Sequence, residues 1–377
     1  MNRMAGWLAV VLLAPTLVVA QDPGYRVGVT SESGDIVTWL RPLADGTLVE
    51  DRVVAVNPRP PEIDGPHNIT VAPDHGSYYV SIAHGTPWGS LWRLDARTHR
   101  VLGTAQAEGY PTTIALTPDG EFAFVANSDF FGDRPRINPV TIVHTPTMTT
   151  ITQLPTCDMP HGVRSNRAGT TIWVSCMHSD ELVTIDVASL AITHRIQLGA
   201  GHADASGHGA HAGHQMPAAP VAQPAPAGPD LTRPCAATYV ALSPDDARVY
   251  VACNAAGTMQ VWDAATRRFL GQVATGAGAY NVEPSPDGRL VIVTNKKDRS
   301  VSVIDAATLT EVRRVPVSKP VVHGVAFAPD GRYAYVSQES IGADPGAVDT
   351  IDLATFTVIG TIPIPAQPTG LTILRTR

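Results

Sequence analysis

The sequence predicts an all-β protein, a seven-bladed β-propeller whose ring closes when a C-terminal strand joins three N-terminal strands. Three observations lead there. Pro-Asp turns recur about every 43 residues, at Pro73-Asp74, Pro118-Asp119, Pro244-Asp245, Pro286-Asp287 and Pro329-Asp330, with a degenerate copy at Arg167-Ala168-Gly169. Each turn lies between an alternating apolar stretch and a β-rich run such as "FAFVAN", "TIWVSC" or "VIVTN", which is the strand-and-turn signature. The leftovers at the two ends of the chain complete one further copy of the same unit.

Taken in order, the chain of 377 residues opens "MNRMAGWLAVVLLAPTLVVA". A positive start at Arg3, an apolar run and a small residue at Ala20 mark 1–20 as a secretory signal peptide. The run is short for a membrane span, so no transmembrane anchor is expected after cleavage. A single propeller is expected over 21–377. "YRVGVTSES", "DIVTWLRP" and "LVEDRVVAV" supply three strands without a first. Complete copies begin near Gly65, Tyr110, Met159, Cys235, Ala279 and Val322. In five of them the third strand ends in an aspartate (Asp95, Asp186, Asp263, Asp305, Asp352) before turning into a fourth; His144 takes that place in blade two. "PTGLTIL", from Pro368, is the first strand that the N-terminus lacks. Joining the two leaves no open sheet edge.

Composition narrows the function. The chain is 44% hydrophobic, ample for a large core, and its net charge is −7. No basic run marks a nucleic-acid or anionic-membrane surface. There is no P-loop, no G-x-S-x-G and no C-x-x-C-H, so neither a nucleotide nor a covalently attached haem is expected.

The copies resemble the YVTN-type β-propeller repeat, most closely in "VIVTNKKDRSVSVIDAATLTEV" from Val291 to Val312. The resemblance covers nearly all of the chain after the signal. It implies an exported bacterial propeller, whose relatives include surface-layer proteins, periplasmic repeat proteins and the propeller domains of haem or copper enzymes. It implies fold far more than function.

Stepping back six residues from each turn's proline position reaches the start of the innermost strand, where side chains face the central channel. Around the ring this position holds His67, Thr112, His161, Thr238, Tyr280, His323 and Thr369. Three imidazoles at one channel mouth are a ligand set for copper, zinc or iron. His84 and His178 end second strands on the same face, with Met159 and Met177 nearby as soft donors. The other reading is plain: channel histidines that hydrogen-bond neighbouring blades, and methionines that fill core gaps. His75, His99, His144 and His194 fall in turns or outer strands and are read as structural or surface residues.

Between blades three and four the chain inserts residues 200–234. They carry His202, His208, His211, His214 and Met216, followed by a Pro/Ala-rich spacer. The connection leaves an outermost strand for an innermost one, so it emerges on the channel-mouth face. A His/Met arm there suits late first-row metals. Cys157 with Cys176, and Cys235 with Cys253, bracket neighbouring strands in successive blades. They are expected to form two disulfides bracing the insert, in keeping with an exported chain, periplasmic in a Gram-negative host. Arg134, Arg136, Glu339, Asp344 and Trp88 lie in loops on the mouth face and are read as solvated or rim residues. The expected function is copper or zinc capture and handling, with copper preferred and another exported metal or redox protein as partner. The alternatives are a metal-dependent enzyme with the three-His centre on the axis, and an interaction platform without chemistry.

Overall fold

The computed structural model describes residues 23–57, 65–84, 89–130, 137–200, 229 and 231–376. The β-rich runs become second strands, and they are buried almost end to end: Ser77–Ile82, Arg248–Cys253 and Tyr333–Gln338 expose next to nothing. Each lies inside a blade that packs against a blade on either side, so both faces need apolar cover. That is why these runs are mostly apolar and do not alternate between buried and exposed. Outer strands alternate between exposed and half-buried, as in Ala191–Gln197, because only one face meets a neighbour.

The described residues form seven four-stranded antiparallel sheets. Six run in chain order from inside to outside. The seventh is composite: Pro368–Arg375 is innermost and pairs with Tyr25–Ser31, placing Val27 opposite Ile373. Blade seven is thus closed from both termini, as the leftover strands predict. Its seam to blade six buries Val27 and Leu40 with Tyr335 and Val348, and the Tyr25 and Tyr335 hydroxyls share a 2.7 Å hydrogen bond.

The punctuation residues have visible tasks. The aspartate ending each third strand accepts from the backbone three residues on, as Asp263 does from Thr266 (2.7 Å) and Asp305 from Thr308 (2.8 Å), fixing the turn into the outer strand. His75 stands in the glycine slot of its turn at φ 58°. Cys157–Cys176 and Cys235–Cys253 are both disulfide-bonded, as the spacing predicts. Among the described residues no helix is long and apolar enough to cross a membrane. The segment 1–20, expected to be a signal peptide, and almost all of the insert, including its four histidines and Met216, lie outside the described residues. The insert's base is clamped: Ala200 donates to the Arg233 carbonyl (2.9 Å), and the buried Asp180 carboxylate accepts from the Cys235 and Ala236 backbones (2.9 and 2.6 Å).

Candidate functional site

One irregularity repeats in every blade and builds the site. The innermost strand slips register at its start, between Pro66 and Asn68, Pro160 and Gly162, Val322 and Val325, and at the equivalent points of the other blades. The bulge re-aims the skipped side chain, and the skipped residues include His67, His161, Tyr280 and His323. The residue before each innermost strand is left-handed in all seven blades: Gly65, Tyr110, Met159, Ala236, Gly278, Val321 and Gln367. For a β-branched residue such as Val321, at φ 59°, that conformation is strained.

A bulge leaves a backbone N–H without a ladder partner, and a hydroxyl from the second strand takes it. Ser81, Ser175, Thr294, Ser337 and Thr30 accept from Asn68, Gly162, Asn281, Gly324 and Gly370 at 2.8–3.0 Å. The same hydroxyls donate to the next blade's innermost carbonyl, as Ser337 does to Thr369 (2.6 Å) and Thr294 to His323 (2.9 Å). Two of the three histidines precede a glycine because a Cβ at Gly162 would stand 2.9 Å from the Thr238 oxygen, and one at Gly324 2.5 Å from the Thr369 oxygen.

The three channel histidines gather. His67 lies 5.3 Å from His323 and 6.3 Å from His161, ring centre to ring centre, and all three are buried. Tyr280 touches both His323 (4.6 Å) and His161 (5.5 Å). Their nitrogens are used differently. The His161 Nδ1–H donates to the Thr238 carbonyl (2.9 Å), and its Nε2 accepts from the Tyr280 hydroxyl (3.1 Å). The His67 Nδ1–H donates to Glu32 (2.8 Å), leaving Nε2 buried without a partner. Neither nitrogen of His323 makes a hydrogen bond of normal geometry. Burial, with Lys296 and His67 near, pushes His323 well below the usual histidine range; burial, then His67 and Lys296, bring His161 down to about 3. Both rings are neutral at pH 7.

Among the described residues no three His, Cys, Asp or Glu side chains are arranged to hold a metal ion. The reason is local: both His161 nitrogens are engaged, so two imidazoles, not three, present unpartnered nitrogens. Thr112, Thr238 and Thr369 do not present hydroxyls to the axis either. They donate sideways to the His161, Tyr280 and His67 carbonyls at 2.9, 2.6 and 2.7 Å. His84 joins the cluster through Glu32 (2.6 Å), whereas His178 is half-exposed beside Asp158 (3.5 Å). Met159 is buried and Met177 donates its backbone N–H to the Met159 carbonyl.

Glu32 is the residue that motif reading missed. It accepts from His67, from His84 and from the Tyr110 hydroxyl (2.7 Å), tying blades seven, one and two together. Burial pushes its carboxyl up, but its pairing with His67 and the hydrogen bonds from His67, His84 and Tyr110 outweigh that and hold it well below the usual carboxylate range. Glu339 corrects another expectation. It is not a solvated loop carboxylate but a largely buried one, 2.6 Å from the Lys296 ammonium and 3.8 Å from His323. Lys296 in turn lies over the Tyr280 ring at 4.2 Å. One alignment would have found all three. The residue after each second strand is Glu32, Ala83, Ser128, Met177, Asn254, Lys296 or Glu339, and every one donates its N–H to the carbonyl of the left-handed residue just before an innermost strand. Asp344 is exposed; Arg134, Arg136 and Trp88 lie outside the described residues.

Fold and site together define a class: a seven-bladed propeller with a buried histidine cluster in one mouth of its channel. No family model matches the chain. Among solved structures it is similar to a hydrazine synthase chain of Kuenenia stuttgartiensis, at 17% identity and TM-score 0.64 over 86% of this chain and 99% of that one. It is also similar to a functionally unknown protein of Desulfotomaculum acetoxidans, at 14% identity and TM-score 0.68 over 93% and 99%. A third is the dihydro-heme d1 dehydrogenase NirN, at 15% identity and TM-score 0.57 over 97% and 78%. These likenesses are of fold.

Proposed function

We propose that the protein is an exported metal-handling propeller that takes copper or zinc, copper preferred and iron as the remaining candidate, at the histidine mouth of its channel. His67 and His323 are the primary ligands. His161 becomes the third when a metal ion takes the place of the Tyr280 hydroxyl at its Nε2. His84 and His178 serve the rim, and His202, His208, His211, His214 and Met216 form a capture arm. The signal peptide, the two disulfides and the YVTN-like repeats support export.

One observation carries the reading: two adjacent imidazoles hold buried, unpartnered nitrogens, and one of them is backed by a carboxylate. A buried polar atom left unpaired costs about 1–3 kcal/mol, and a metal ion removes that cost. Imidazoles sharing an ion through bonds of about 2.0–2.1 Å place their ring centres roughly 5–6 Å apart, which matches the 5.3 Å between His67 and His323. The Glu32–His67 contact has the form of the carboxylate that orients a metal-bound histidine.

Elemental analysis of protein purified from its export compartment, with and without residues 201–233, tests the reading. One equivalent of metal retained by the shortened protein supports the mouth as the site. Metal lost with the arm leaves only a scavenging arm, and no metal in either leaves an interaction platform. The buried Tyr280 phenol between His161 and His323 favours a second reading, a metal-dependent enzyme, in which it would orient a bound ligand. Two of the structural neighbours carry enzyme names. A water-occupied, exchangeable coordination position on the metal would favour it over simple handling.

A further inference from the structure

The channel has a second end. Below the histidine layer lies a cavity of about 550 Å³ whose wall takes residues from all seven innermost strands, within the roughly 300–1,000 Å³ range of small-molecule sites. Its charged groups are few. Arg164 of blade three meets Glu283 of blade five across the intervening blade, with Nη2 3.4 Å from Oε2 and both side chains about one-third exposed (30% and 32%). That is a long contact for a guanidinium and a carboxylate, which close to about 2.7–2.9 Å when well paired. Arg167, also on the wall, is tied to the Pro244 carbonyl (2.7 Å).

Tyr239 and Asn281 line the same cavity. Both are more than nine-tenths buried, and the Tyr239 hydroxyl and the Asn281 Oδ1 have no hydrogen-bond partner. Tyr239 also forms the roof, its ring 5.2 Å from His161 and 6.2 Å from His323. The wall therefore offers a cation and an anion to a ligand. These are the complements of a free carboxylate and a free ammonium.

We propose that this far end of the channel is a binding site for small zwitterions, short peptides among them. The ligand's carboxylate docks on Arg164 and its ammonium on Glu283, each exchanging the long internal pair for a closer one. The site is separate from the histidine mouth and does not depend on a metal there.

Calorimetric titration of the full chain with three probes tests this: alanyl-alanine, N-acetyl-alanyl-alanine, which lacks the ammonium, and alanyl-alaninamide, which lacks the carboxylate. The free dipeptide binds, and each blocked form binds at least about tenfold more weakly, the worth of one charge-assisted hydrogen bond. In Arg164→Met the discrimination against the amide disappears; in Glu283→Gln the discrimination against the acetyl form disappears. A metal chelator added to the unmodified protein leaves all three titrations unchanged. No binding of alanyl-alanine to the unmodified protein, equal binding of the three probes, or variants that keep the full discrimination would overturn the proposal. The probe series on the unmodified protein decides the matter even if a variant folds poorly.

Discussion

Six of the seven positions that open the innermost strands fall into two groups sharing a bulge and a layer. Thr112, Thr238 and Thr369 turn their hydroxyls sideways and bond the next blade's backbone. His67, His161 and His323 stand in the same register but reach the axis, and two of them carry nitrogens that make no hydrogen bond of normal geometry. The threonines show what the fold needs at this position, a short group that joins blade to blade. The imidazoles exceed that need, and the excess is where function is expected.

Four tests sharpen the contrast. The largest effect falls on metal affinity. Replacing His67 and His323 together by Ala is expected to weaken zinc or copper binding at the mouth at least about 100-fold, and Glu32→Gln about 10–100-fold, both read by competition against a chelator. Next is acid. The folded-state pKa values of His161 and His323 are depressed, so the unfolded chain binds protons first. Stability is full above about pH 6.5 and falls as pH drops toward 3, by about 4 kcal/mol for His161 alone. Denaturant melts of metal-free protein across that window check it, and His161→Thr should flatten the slope. Third, Ser337→Ala orphans the Gly324 N–H and removes the donor to the Thr369 carbonyl, and is expected to cost about 1–3 kcal/mol. The smallest effect separates the groups most cleanly. His323→Thr installs the staple residue in place of the spare imidazole: losing the unpaired buried nitrogens gains about 1–3 kcal/mol and the cavity left behind offsets it, so the same melts should show the smallest net change of the four.

The fold was legible because its signals are local and repeated. Pro-Asp turns, strand-ending aspartates and apolar second strands each do one task per blade, and the two ends visibly complete one another. The cysteine pairs were legible for the same reason. The convergence of His67, His161 and His323 followed from register alone. What those atoms do did not, because it depends on partners outside the repeat: Tyr280 occupying His161, and Glu32 reaching His67 from another blade. Glu32 sits in a plain "SES", and its meaning emerges only when the residues after all seven second strands are set beside one another. Glu339 was misjudged because a loop carboxylate is solvated by default, whereas Lys296 here draws it inward.

The central claim is that the mouth imidazoles take one metal ion. A zinc-soaked crystal, read by anomalous difference density at the zinc edge, tests it most directly. The account predicts one strong peak inside the channel mouth about 2.0–2.1 Å from His67 Nε2 and a His323 nitrogen. Density confined to half-exposed histidines such as His144 or His178, with the mouth empty, would contradict it.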